Sequence, residues 1–176
     1  MDAGHGDVVL FAVAPTSPEG DYGWIMPEFE DDRGDDFRSV GGFLEKPPVD
    51  VARALFDAGA VWNTMILVGR ASTLIAQFEQ HLPDLVAAFA AVDDRSEDHA
   101  SGLAACYETL EHSDFSRDLI GKVGNLAVHT WPAAMGWSDL GTPERMHMWL
   151  EATRPVDALV RLSDLRRSGG LVAVAS

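Results

Sequence analysis

The sequence predicts an α/β fold, or an α+β fold with a mixed sheet, in which strands and flanking helices share one core. Short apolar runs of strand length recur along the chain, and apolar residues at helical spacing lie between them. Proline or glycine closes many of these runs. No Pro/Gly-rich linker, internal repeat or low-complexity segment divides the 176 residues, so 1–176 reads as a single domain. A hydrophobic share of 47% supplies enough apolar material for a core.

Residues 8–13 (VVLFAV) suit a buried strand better than a helix by length, and Pro15 and Pro18 end the run. Residues 22–26 form a second strand. Residues 28–36 are acidic and read as a solvated hairpin tip or loop. Residues 40–44 are a third strand, stopped at Pro47 and Pro48 because proline has no N–H to give a ladder. Asp50 is expected to cap a helix reaching about Ala58, with Gly59 as its stop. Residues 61–68 follow as a strand and 71–82 as an amphipathic helix; Pro83 opens another helix through Ala91. The polar residues 93–102 read as a loop and 103–110 as a helix, with Cys106 a core thiol on its apolar face. Residues 125–131 alternate as a strand does. Thr142 caps a helix with Pro143 at its first position, reaching about Ala152. A last helix is expected over 157–167, and Gly169-Gly170 opens a tail with no assigned structure.

Formal net charge is −15, with only 13 Lys plus Arg, so the chain lacks the basic stripe that phosphate neutralisation needs. Neither nucleic acid nor an anionic membrane is an expected partner. One cysteine leaves no internal disulfide, and no Cys/His set has zinc-ligand spacing. Asp2, His5 and Asp7 stand where a signal peptide would carry positive charge, and no apolar stretch approaches the ~20 residues of a membrane span. A soluble, cytoplasmic protein is therefore expected. The six histidines are scattered and read as surface or capping residues.

Four segments carry candidate chemistry. Phe43-Leu44-Glu45-Lys46-Pro47 puts a lysine at a strand end, where α/β sheets place ligands and a compact ammonium suits a phosphate oxygen; alone, the segment reads as an exposed charged turn. In Trp62-Asn63-Thr64 an amide enters an apolar strand; it offers donors and an acceptor to hydroxyls, or caps a turn. In Tyr22-Gly23-Trp24-Ile25 a glycine within a strand marks a close approach or a bulge. Gly136-Trp137-Ser138-Asp139-Leu140-Gly141-Thr142 holds Asp139 in a tight turn before a helix, where its carboxylate serves Mg²⁺ or helps cap the helix.

Taken in order, Pro15-Thr16, Tyr-Gly-x-Ile, Phe-x-Glu-Lys-Pro, Trp-Asn, Phe115-Ser116 and Trp-Ser-Asp-Leu-Gly resemble the sugar-1-phosphate nucleotidyltransferases, especially the mannose-1-phosphate guanylyltransferases, from Val8 to about Arg145. The resemblance implies the second, sugar-phosphate half of a Rossmann-like nucleotide-diphospho-sugar transferase fold. It implies Lys46 at the sugar 1-phosphate with Glu45 beside it, and Asn63 and the backbone around Gly23 at sugar hydroxyls. Asp139 would be one of the aspartates on a catalytic Mg²⁺, and Trp137 and Phe115 would be packing residues. Many relatives follow Trp-Asn with a small residue and Gly, whereas this chain has Thr64-Met65.

The family's Gly-rich loop with Arg, Pro-Leu and Lys-Pro, which cradles the triphosphate, has no counterpart in this sequence: Gly41-Gly42 lies within a strand and Gly169-Gly170 precedes no helix. The expectation is therefore a chain that supplies the sugar-phosphate side and is inactive alone. Its partners are then a sugar 1-phosphate, a nucleoside triphosphate, and either the N-terminal half or a full-length homologue, with self-association as a further mode. The alternative is a non-catalytic sugar-phosphate-binding or regulatory module.

Overall fold

The computed structural model describes residues 8–28, 37–92 and 98–153. Most of the acidic stretch 28–36, the helix expected over 157–167 and the Gly169-Gly170 tail lie outside the described residues. The chain divides into two compact units, Met1–Met135 and Gly136–Ser176.

In the first unit five strands close on themselves in the order β1-β4-β2-β3-β5: β1 (Val8–Val13), β2 (Gly23–Pro27), β3 (Phe37–Glu45), β4 (Val61–Gly69) and β5 (Leu126–Trp131). β1 runs parallel to β5, and every other pairing is antiparallel, so the sheet is mixed as expected. Val8, Leu10 and Ala12 of β1 and Leu126 and Val128 of β5 alternate onto one face. There they form the buried core with Ile25, Val61 and Ile120. Each such leucine or isoleucine contributes about 1.5–3 kcal/mol on full burial. The unit's helices are α1 (Val49–Asp57), α2 (Ala71–His81), α3 (Pro83–Ala90) and α4 (His99–Thr109). A π-helical turn, Phe115–Leu119, and a 3-10 turn, Ile120–Lys122, lead into β5. In the second unit α5 (Pro143–Thr153) follows Thr142, whose Oγ1 accepts from the Arg145 N–H at 3.2 Å as an N-cap does.

Several expected boundaries move, each for a physical reason. Pro48, not Asp50, stands at the N-cap of α1, with φ −53° and ψ 151°; Asp50 lies in the first turn, where its charge faces the positive end of the helix dipole. Gly59 does end that helix in a left-handed conformation, φ +82°. α4 begins at His99 instead of residue 103, its polar start lying on an exposed face. β3 begins at Phe37 because Phe37, Arg38 and Ser39 pair with His129, Val128 and Ala127, and a backbone ladder is indifferent to their polarity. His129, read as a surface or capping residue, packs its ring between Phe11 and Phe37 at 5.7 and 5.2 Å. Cys106 is buried, as expected. Among the described residues no helix is long and apolar enough to cross a membrane.

Candidate functional site

The site is built where β2, β3 and β4 run side by side. Gly23, the first residue of β2, pairs with Glu45, the last of β3, while Trp24 pairs with Trp62 of β4; these two registers bring Glu45 and Asn63 to either side of Gly23. A Cβ on Gly23 would stand 2.7 Å from Glu45 Oε2, 3.3 Å from Asn63 Cβ and 3.3 Å from Phe43 Cζ. The glycine permits this close approach: the Glu45 carboxylate fills the space a side chain would take. Tyr22 and Trp62 pack edge to face behind it, with ring centres 4.7 Å apart.

Glu45 Oε2 is buried and has no hydrogen-bond partner among the described residues. A buried carboxylate oxygen without a donor is costly, and a water, an ion or a ligand group would supply the missing partner. Burial, and then the negative charge of Asp114, hold the Glu45 carboxyl above its ordinary pKa; Lys46, the Ser116 hydroxyl and Arg117 oppose that rise.

Lys46 follows immediately and is exposed. Its backbone is left-handed, φ +46°, and its N–H donates to the Tyr22 carbonyl at 3.1 Å. A non-glycine residue in that region costs on the order of 1 kcal/mol. Such strain clusters at functional positions, because the surrounding structure has to impose it. The expected fixed cation at a strand end is thus present, held by a turn that β2 ties down.

Asn63 is 6% exposed and lies at the edge of an irregularity in β4. Ala12 pairs with Asn63 but its neighbour Phe11 pairs with Ile66, so Thr64 and Met65 bulge from the ladder. Thr64 Oγ1 donates to the Phe11 carbonyl and anchors the bulge. Met65, at φ +62°, folds back so that its Sδ lies 3.2 Å from Asn63 Nδ2 and 3.2 Å from Ser116 Oγ. Ser116 is 3% exposed and comes from the π-helical turn. That turn is held by a reciprocal cap: the Arg117 N–H donates to Asp114 Oδ1 at 2.8 Å, and the Asp114 N–H to Asp118 Oδ2 at 2.7 Å.

The tertiary structure therefore joins Gly23, Glu45, Lys46 and Asn63, which the sequence singled out, and adds Ser116, Asp114, Arg117 and Met65, which had no assigned role. The local signals for the addition were Phe115-Ser116 among the ordered motifs and the departure at Thr64-Met65. Phe115 packs against the core, 6.0 Å from the Phe78 ring, in keeping with a packing role.

Asp139 belongs to the second unit and is described there by itself. Arg145 Nη1 meets its Oδ2 at 3.4 Å, and a Cβ on Gly141 would stand 3.0 Å from the same oxygen. Its side chain is 45% exposed. One of its oxygens thus already meets a guanidinium, and a Mg²⁺ ion here would have to draw most of its ligands from water and substrate oxygens. Among the described residues no group of three or more His, Cys, Asp or Glu is arranged to hold a metal alone.

A mixed sheet with flanking helices, carrying a glycine, a carboxylate, an amide and a lysine where β2, β3 and β4 meet, makes an α/β domain with a candidate polar site. Residues 1–154 match the family described as nucleotidyl transferase, and the chain belongs to that family. Among curated proteins it is 33% identical to the mannose-1-phosphate guanylyltransferase of Sinorhizobium fredii over 144 residues, 80% of this chain and 27% of that protein. A solved structure from Thermus thermophilus, described as mannose-1-phosphate geranyltransferase, is 26% identical with a TM-score of 0.60, covering 73% of this chain and 36% of that one. A mannose-6-phosphate isomerase structure from Helicobacter pylori has a TM-score of 0.56 at 18% identity, a likeness of fold alone. The chain thus spans about a quarter to a third of the first two relatives' length.

Proposed function

We propose that this chain supplies the sugar-phosphate side of a sugar-1-phosphate nucleotidyltransferase centre, with mannose 1-phosphate as the sugar and GTP as the nucleotide donor. The observation that carries the reading is the orphaned Glu45 Oε2 over Gly23, beside buried Asn63 and strained Lys46. A hexose hydroxyl donates to the carboxylate and accepts from the amide, while the phosphate meets the ammonium.

The sugar phosphate oxygen is already anionic and needs no general base. It forms a bond to the α-phosphorus as the bond to pyrophosphate breaks, giving GDP-mannose and pyrophosphate. Positioning and charge neutralisation supply most of such catalysis. Lys46 neutralises the incoming phosphate, and Glu45 and Asn63 fix the ring so that one oxygen points at phosphorus. Asp139 would hold Mg²⁺, which neutralises charge on the transferring phosphates.

These residues hold no Gly-rich basic loop for the triphosphate, so in this reading they supply one side of the centre, and a Gly-rich basic segment of the same or another polypeptide supplies the other. With Mg²⁺, GTP and mannose 1-phosphate, the isolated chain should bind the sugar phosphate and release almost no pyrophosphate. Release at enzyme-like rates would refute the need for a partner. Absence of sugar-phosphate binding would refute the site. Binding without turnover, even alongside a full-length homologue, would assign the chain as a regulatory module.

A further inference from the structure

Met65 is the residue on which this site departs most from a ready-made hydroxyl pocket. Asn63 and Ser116 are 6% and 3% exposed, and both aim a donor at one thioether sulfur, at 3.2 Å each. Sulfur is a weak acceptor, so two well-buried donors spent on it are poorly satisfied. The Ser116 hydroxyl carries one proton and stands close to the Glu45 carboxylate as well, so the sulfur and the carboxylate compete for it. Met65 reaches this position from a bulge, at φ +62°, in a conformation L side chains rarely adopt. Yet it is itself 55% exposed, so it covers the donors from the solvent side without being locked into the core.

We propose that Met65 is a latch over the sugar subsite: its thioether occupies the donors of Asn63 and Ser116 in the free protein and is displaced by a hexose hydroxyl. This rests on the sugar-phosphate reading given above. The entering hydroxyl accepts from Asn63 Nδ2 or Ser116 Oγ and donates to Glu45 Oε2, so one ligand group replaces a weak acceptor and satisfies the orphaned oxygen. The unbranched methionine swings out into solvent with no rearrangement of the core. Selectivity follows from the exchange. A ligand with a hydroxyl at this position opens the latch, and the corresponding deoxy sugar phosphate does not.

The test is a titration of the full chain with mannose 1-phosphate, for the wild type, Met65→Ala, Met65→Gly and Lys46→Ala, with the Met65 methyl carbon labelled in the wild type. If the latch is closed in about nine molecules of ten, removing it tightens binding about tenfold. Met65→Ala keeps a Cβ at the same φ and isolates loss of the thioether; Met65→Gly also relieves the backbone. Both should bind about tenfold more tightly than wild type, and the Met65 methyl resonance should move to a solvent-like position as the sugar phosphate saturates. Equal affinities for wild type and both Met65 variants, with Lys46→Ala still impaired, would overturn the latch and leave the sugar-phosphate site standing. So would a methyl resonance that does not move. If no variant binds at all, the sugar-phosphate reading fails and takes the latch with it.

Discussion

Replacing Gly23 with alanine tests the geometry on which the site depends. The new Cβ would stand 2.7 Å from Glu45 Oε2, whereas ordinary contact begins near 3.4 Å, so the carboxylate must retreat by about 0.7 Å. The other two neighbours, Asn63 Cβ and Phe43 Cζ at 3.3 Å, have to give only slightly. Gly23 is not among the residues with positive φ, so alanine adopts its backbone without strain. Losing a glycine then stabilises by about 0.4–1 kcal/mol through the unfolded chain. Forcing Glu45 off its rotamer costs about 0.5–1.5 kcal/mol. The two nearly cancel, and Gly23→Ala should melt within a few degrees of wild type.

Binding does not share that cancellation. A hydrogen bond to a charged group contributes about 1.5–3 kcal/mol, and a carboxylate displaced by most of an ångström no longer makes it well. Affinity for mannose 1-phosphate should fall about tenfold to a hundredfold, read by calorimetric titration with a thermal melt alongside. The same substitution made on Glu45→Gln should cost much less, because the residue through which it acts has already lost its charge. Wild-type affinity in a folded Gly23→Ala protein would refute the claim that this carboxylate serves a ligand. A full loss on the Glu45→Gln background would show that the effect runs through Asn63 or Phe43 instead.

Three other perturbations bear on the same site. Glu45 holds its proton more tightly folded than unfolded, so stability should fall as pH rises from about 4.5 through its raised value; Glu45→Gln should flatten that slope in melts taken across pH, and an unchanged slope would mean another group carries it. Lys46→Gly should relieve the φ +46° backbone by about 1 kcal/mol and lose about 0.4–1 kcal/mol to a freer unfolded chain, so its melting temperature should match or slightly exceed the wild type while sugar-phosphate binding weakens; a clearly lower melting temperature would show that the left-handed turn is not strained. Once turnover is reconstituted with a partner carrying the triphosphate loop, Asp139→Ala should abolish pyrophosphate release, and retained turnover would remove Asp139 from the metal site.

Much of the fold was legible locally. The strands 8–13 and 61–68 announce themselves as apolar runs bounded by turn residues, and the Thr142-Pro143 start of α5 follows from capping chemistry that needs only a few neighbouring residues. Gly23, Glu45, Lys46 and Asn63 were likewise visible as polar or glycine interruptions of apolar strands. The start of β3 at Phe37 was not, because a ladder is made by backbone groups whose partner, β5, lies some ninety residues away. The start of α4 was hidden for a related reason, since polar residues at an exposed helix end look the same as those of a loop.

The family's set of polar groups and the strand ends on which they ride can be read along the chain, because both are written in local residue order. That Gly23 lies under the Glu45 carboxylate is not local, since it depends on the register of β2 against β3. The same is true of Ser116, brought to the site by a turn more than fifty residues beyond Asn63, and of Met65, whose place over both donors follows from a two-residue bulge against β1. Side-chain identity is local, but which polar atoms are left buried and unpaired depends on strands that meet from distant parts of the chain.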